Sequence, residues 1–195
     1  MDQRFEIDTL KLLNVLDLLG ISGIILAAFV LQFMLHELPC PLCLLQRLGL
    51  LAIGFGFLLN VHFHPRPGHY SLSLLAAMFT AFAASRQMFL HIAPGSGSYG
   101  SALFGLHLYT WVFIVSVLAI LYISIVLSFW PQYQGADANP NAIEEPRGRA
   151  AKYFAHAVFI LFLALNLANV LNVFAECGWQ ECPDNPVKYV LAQYL

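Results

Sequence analysis

The chain has 195 residues, of which 59% are hydrophobic and 10% charged, and its formal net charge is −2. Globular domains carry about 25% charged residues, so a water-soluble domain is excluded, and the absence of a basic excess leaves no pull toward nucleic acid. With a mean hydropathy of +0.71, the sequence reads as one membrane domain over 1–195.

The first seventeen residues mix Asp2, Arg4, Glu6, Asp8 and Lys11 without a small-residue cleavage pattern. The first apolar run is therefore expected to stay as an anchor rather than be removed. Spanning a hydrocarbon core of about 30 Å takes about 20 apolar residues in a helix. Five runs are long enough: about 18–35, 42–60 (broken by Arg47), 70–90 (with Arg86 near its end), 106–130 and 153–175, followed by a tail, 176–195. Lipid demands helices here, because an open strand would leave its amides unpaired. The expected fold is all-α, a polytopic bundle of five transmembrane helices, four forming a core and one added.

Lys and Arg set the expected orientation. With the N-terminus inside, Arg4, Lys11, Arg66, Arg147, Arg149 and Lys152 fall on the inner side, against Lys188 outside. That is a positive-inside bias, and five spans then put the C-terminus outside. The inner loop with His62, His64, Arg66 and His69, stiffened by Pro65 and Pro67, reads as a solvated connector. The inner stretch 131–149 reads as a polar linker. In the outer loop 92–105, Tyr99 and Phe104 stand among Gly and Ser, as a connector or as a lid. His156, Asn166, Asn169 and Asn172 mark one side of the fifth helix and read as packing contacts, since polar groups in lipid face the bundle.

The four cysteines, Cys40, Cys43, Cys177 and Cys182, carry the chemistry. The expected topology brings both pairs to the outer face despite their separation in sequence. Cys40–Cys43 with Cys177–Cys182 is the most local of three possible connectivities, and an oxidising outer compartment lets disulfides persist. Pro41 suits the first position of the second helix, which puts Cys40 at its cap and Cys43 in its first turn, where the helix dipole favours a thiolate. Arg47 follows one turn deeper on the same face. An Arg in lipid costs about 2.5–3.5 kcal/mol on insertion scales; a thiolate or an electron acceptor beside it would offset that. Snorkelling to headgroups is the plainer alternative. Arg86 and His91, at the outer end of the third helix, are candidates to line the same pocket, as are His107, Tyr109 and Trp111, although aromatics at a membrane edge commonly form the interfacial belt. No metal site is expected.

The run Pro39-Cys40-Pro41-Leu42-Cys43-Leu44-Leu45-Gln46-Arg47 resembles the signature of the DsbB family of bacterial disulfide-bond formation proteins. The stretches Arg86 to His91, Gly105 to Trp111, and Glu176-Cys177 through Cys182-Pro183-Asp184-Asn185-Pro186 agree with it. The resemblance implies a multi-pass protein of the bacterial inner membrane with a periplasmic redox face. It implies reoxidation of a periplasmic DsbA-type thiol oxidase, with electrons passed to a quinone of the membrane pool, ubiquinone or menaquinone. The DsbA–DsbB–quinone pairing is the system known to keep the periplasm oxidising. Carried over, Cys40–Cys43 would be the quinone-proximal disulfide with Cys43 against the ring, Arg47, Arg86 and His91 would serve the quinone, and Cys177–Cys182 would be the partner-proximal disulfide. Family order favours Cys177 as the sulfur the partner attacks. The departure is the place of that second pair, which in the best-known members lies between the third and fourth spans and here follows a fifth. Three rival readings remain: a quinone reductase of the vitamin K epoxide reductase type, a channel or assembly protein with structural disulfides, and a four-thiolate zinc site.

Overall fold

The computed structural model describes residues 3–63, 65–92, 100, 102–129, 133, 149–184 and 186–191, with side chains from residue 10 onward. Among these, five helices, α1 (Gln3–Leu35), α2 (Pro41–His62), α3 (Pro67–Leu90), α4 (Leu108–Leu127) and α5 (Arg149–Cys177), are long and apolar enough to cross a membrane. A short hairpin, β1 (Ala102–Leu103) and β2 (Leu106–His107), precedes α4. Tyr99, His64, Arg147 and nearly all of the 131–149 linker lie outside the described residues.

The helices outrun the apolar runs that announce them. α1 starts at Gln3 rather than near 18, because a charged segment can stay helical if its polar groups find partners inside. Lys11 and Asn14 are buried, and Asn14 Nδ2 donates to the Tyr70 hydroxyl at 2.8 Å. α2 and α3 begin at Pro41 and Pro67, where a missing N–H costs nothing. α4 starts at Leu108 instead of 106, since Leu106 and His107 pair with Leu103 and Ala102. The hairpin turns through Phe104 and Gly105, both at positive φ (53° and 81°), as a two-residue primed turn requires. Phe104 is 89% exposed, and Trp111 Nε1 ties the hairpin to α4 by donating to the Leu103 carbonyl at 2.9 Å.

Successive helices pack as antiparallel neighbours from α1 to α4, and α5 lies against α1 and touches α2. Small residues bring α2 and α3 together, as they do wherever lipid removes the hydrophobic incentive for association. A side chain at Gly49 would collide with Thr80, and one at Gly56 would meet Ser73 and the His69 carbonyl. Gly54 receives the ring of Phe162 from α5, which is wholly buried. Gly56→Leu is expected to cost at least about 3 kcal/mol through overpacking against rigid backbone. The check is a lowered thermal midpoint in detergent, with Gly20→Leu, where nothing lies within 4 Å, unchanged.

The two ends of the bundle are pinned by different polar networks. At one end Asn60 Nδ2 donates to Asn14 Oδ1 (3.0 Å), His69 Nδ1 meets Asn60 Oδ1 (2.9 Å), and the Tyr122 hydroxyl donates to Asp17 (2.7 Å). At the other, Gln32 on α1 donates to Asn172 on α5 at 2.9 Å. That bond joins the C-terminal thirds of both helices, so α1 and α5 run in the same direction. The C-terminal ends of α1, α3 and α5 and the N-terminal ends of α2 and α4 consequently share one end.

A candidate thiol redox site at one end of the bundle

Cys40 caps α2. Its Sγ accepts from the Cys43 backbone N–H at 3.2 Å, filling the role a serine oxygen takes at ordinary caps. Cys40 is buried and Cys43 partly so, and both are free thiols. The Cys43 sulfur's hydrogen bond, then burial, pushes the Cys40 thiol up from its ordinary range. Cys40 therefore holds its proton.

The side chain that binds both sulfurs is Gln87 of α3. Its Nε2 donates to Cys40 Sγ (3.4 Å) and Cys43 Sγ (3.6 Å). Its Oε1 takes a bond from Gln46 Nε2 at 2.6 Å, which fixes the amide. The neighbouring Arg86 is exposed, so α3 presents the glutamine, not the arginine, to the dithiol. His91 ends α3, with Nδ1 at 2.8 Å from the Gln87 carbonyl; a carbonyl only accepts, so it is Nδ1 that donates there. The His91 ring stacks on Tyr109 (5.6 Å between centroids), and Tyr109 stacks on His107 (5.4 Å). These three rings roof the end of the bundle beside the hairpin.

Arg47 does not snorkel. It is buried, with Nη1 donating to Gln32 Oε1 at 2.7 Å and Nη2 to the Ala28 carbonyl at 3.2 Å. Its guanidinium lies 5.1 Å from the centre of the Phe29 ring. Two of its five N–H groups are thus used. Gln32 passes the connection on, donating to the Tyr189 hydroxyl (3.0 Å) and to Asn172.

Tyr189 belongs to the tail, and the tail holds the second pair. Gly178, at φ 62°, stops α5 by bonding the Phe174 carbonyl at 2.8 Å, the usual use of a left-handed glycine at a helix end. The chain then folds back, and the Val190 N–H reaches the Glu176 carbonyl at 3.3 Å. A disulfide joins Cys177 and Cys182. Cys177 is 4% exposed, at the helix end, and Cys182 is the more open of the two. Glu176, 1% exposed, sits directly before the disulfide. Its charge acts on both Arg47 and Cys43, and Arg47 in turn feels Cys43, Glu176 and Tyr189. Both cysteine pairs therefore lie at one end of the molecule, where the charges of Glu176, Arg47 and Cys43 reach one another.

Gln87, Gln46, Gln32, Tyr189 and Glu176 escape a reading based on cysteines and cations. Gln46 and Gln87 stand inside the motif runs, and a glutamine in an apolar helix is itself a signal, because lipid leaves its amide to find a partner within the bundle. Nothing in the sequence pairs Gln32 with the tail.

Residues 11–98 match the family described as "Disulfide bond formation protein DsbB". Among curated relatives, each called "Disulfide bond formation protein B", that of Chromobacterium violaceum is 38% identical over 77 residues, 37% of this chain and 46% of the relative. That of Dechloromonas aromatica is 37% identical over 86 residues, 40% of this chain and 51% of the relative. That of Saccharophagus degradans is 30% identical over 90 residues, 46% of this chain and 45% of the relative. The chain spans about half the length of the curated relatives it matches. No solved structure matches it. The matched segment holds Cys40, Cys43, Arg47 and Gln87; Cys177 and Cys182 lie beyond it.

Proposed function

We propose, from the match of residues 11–98 to the family of disulfide bond formation protein DsbB, that the chain is a membrane thiol:quinone oxidoreductase of that kind, which reoxidises a periplasmic DsbA-type dithiol protein. One observation carries this reading. Two cysteine pairs lie at the same end of a five-helix bundle, with Glu176 within reach of the charge on Cys43. That end then faces the periplasm, in the inner membrane, with the N-terminus inside.

The dithiol partner attacks the tail disulfide through a mixed disulfide. Cys182, the more open sulfur, takes the attack, which reverses the expectation drawn from family order; the end of α5 shields Cys177. The reduced tail pair then reduces Cys40–Cys43.

The residues around Cys43 suit a quinone. Arg47 keeps three N–H groups beyond its two bonds, and the His91–Tyr109 stack offers a flat face. Carbonyl oxygens take such donors, and an aromatic ring takes such a face. A bound quinone supplies an acceptor for two electrons and two protons. Arg47 would orient it, and Cys43 would deliver the electrons.

The test is reconstitution in lipid vesicles with a quinone and a reduced thioredoxin-fold dithiol protein. Loss of quinone absorbance coupled to disulfide formation in the partner supports the reading. Inert thiols, or metal release on thiol modification, would overturn it. In that assay Arg47→Ala is expected to raise KM for quinone about tenfold or more, since hydrogen bonds to a charged group contribute about 1.5–3 kcal/mol. KM for the partner should stay the same; a change in that value alone would remove Arg47 from the quinone site.

A further inference from the structure

Exchange between the two cysteine pairs moves protons as well as electrons. Written out, the Cys177 and Cys182 thiols plus the Cys40–Cys43 disulfide give the Cys177–Cys182 disulfide plus the Cys40 and Cys43 thiols. Two S–H bonds break on the tail and two form at the head of α2. Cys177 and Cys40 are both buried, so bulk water is a poor carrier between them.

Glu176 has the attributes of that carrier. It is the chain neighbour of Cys177, and it is 1% exposed. Its Oε2 is buried without a hydrogen-bond partner, an expensive condition for a polar atom that has no task. The titratable or charged groups whose fields reach it are Arg47 and Cys43, both from α2. From α1 the nearby polar group is the Gln32 amide, held by Asn172 and Tyr189. Two further atoms on the same face of α5, Asn169 Oδ1 and Asn172 Nδ2, are also buried and unpartnered. An acceptor, a donor and a carboxyl oxygen in a row are what bound waters need to settle beside the carboxyl.

We propose that Glu176 is the proton carrier between the two cysteine pairs. In the first half of the exchange the Cys177 sulfur attacks Cys40, giving its proton to the Glu176 carboxylate. The Cys177–Cys40 bond forms and the Cys40–Cys43 bond breaks. Cys43 leaves as a thiolate within the field of Arg47 and takes the proton from Glu176. In the second half Cys182 gives its proton to Glu176 as its sulfur bonds to Cys177; the Cys177–Cys40 bond breaks, and Cys40 leaves and takes that proton. Atoms, protons and two electrons balance within the chain, with no outside reagent. This rests on the exchange between pairs proposed above, but it needs neither quinone nor partner.

The experiment follows the exchange directly. Fully oxidised protein in detergent is given one equivalent of a small dithiol, quenched in acid, and its thiols are located by alkylation and mass spectrometry. In the wild type, transfer from the tail pair to Cys40–Cys43 should be nearly independent of pH between about 6 and 8. Glu176→Gln should slow it about 10- to 100-fold at the acid end. That variant's rate should rise with pH, because the Cys177 thiol must then ionise unaided. Glu176→Asp should restore the flat profile. A Glu176→Gln rate equal to wild type at every pH, or slowed equally at every pH, overturns the proposal. An infrared difference spectrum of the wild type, oxidised minus reduced, adds a readout that does not depend on variants folding. A protonated-carboxyl band should change with redox state, and its constancy would also overturn the proposal. Transfer in the absence of any quinone reduction would end the proposed function and leave this inference standing. Quinone reduction with an unaltered Glu176→Gln profile would do the reverse.

Discussion

Cys43→Ser is expected to lower quinone reduction by at least about 10⁴-fold, the scale seen when a covalent nucleophile is removed. The substitution is nearly isosteric, and the Gln87 amide that faces the sulfur at 3.6 Å can bond a hydroxyl as readily. The fold should therefore survive, and the loss should report chemistry. Adding quinone to purified wild-type protein should produce a new long-wavelength absorption that Cys43→Ser lacks. Cys40 provides the contrast. Its thiol is pushed up by Cys43 and by burial, and on the proposed route it receives the exchange while Cys43 meets the acceptor. Normal turnover in Cys43→Ser would remove the mechanism.

The double change Cys177→Ser with Cys182→Ser should separate the two pairs. Oxidation of a protein dithiol partner should fall at least about a hundredfold, because the pair that captures it is gone and the remaining route is an unassisted encounter. A small dithiol should still reach Cys43, which is only partly buried, and should feed quinone reduction at within about threefold of wild type. Stability should change little, since a loop as short as Cys177 to Cys182 gives at most about 2 kcal/mol on the chain-entropy model. If both activities fell together, the tail pair would be needed to build the site rather than to relay electrons. If neither fell, the tail disulfide would be structural.

Hydrophobic run length makes the number of helices legible from residues alone, because backbone satisfaction in lipid leaves a chain this apolar one solution. The helix ends are less legible. Apolar runs report the thickness of the membrane, whereas α1 and α5 continue past it wherever polar residues find partners within the protein, as Asn14 does with Tyr70. The outer loop shows a different limit. Its Gly and Ser content reads as a connector, yet Phe104 and Gly105 turn a hairpin, and an aromatic at positive φ is not anticipated from propensity.

For the site, the C-x-x-C run, its proline and the arginine one turn on are local facts, and local geometry follows from them: a cap at Cys40, a first turn at Cys43 and a cation on the same face. The sequence by itself determined the dithiol, its place at a helix start and the membrane around it. It could not decide what Arg47 touches or which side chain of α3 meets the sulfurs. Those depend on how helices rotate against each other, and the rotation is set by small-residue contacts such as Gly56 with Ser73. The 100° between neighbouring residues on a helix is what gives the sulfurs Gln87 and leaves Arg86 outside. Only the tertiary structure brought Glu176 and the tail disulfide to the head of α2. That meeting runs through Gln32, Asn172 and Tyr189, a set of hydrogen bonds between segments about 140 residues apart, for which no local pattern exists.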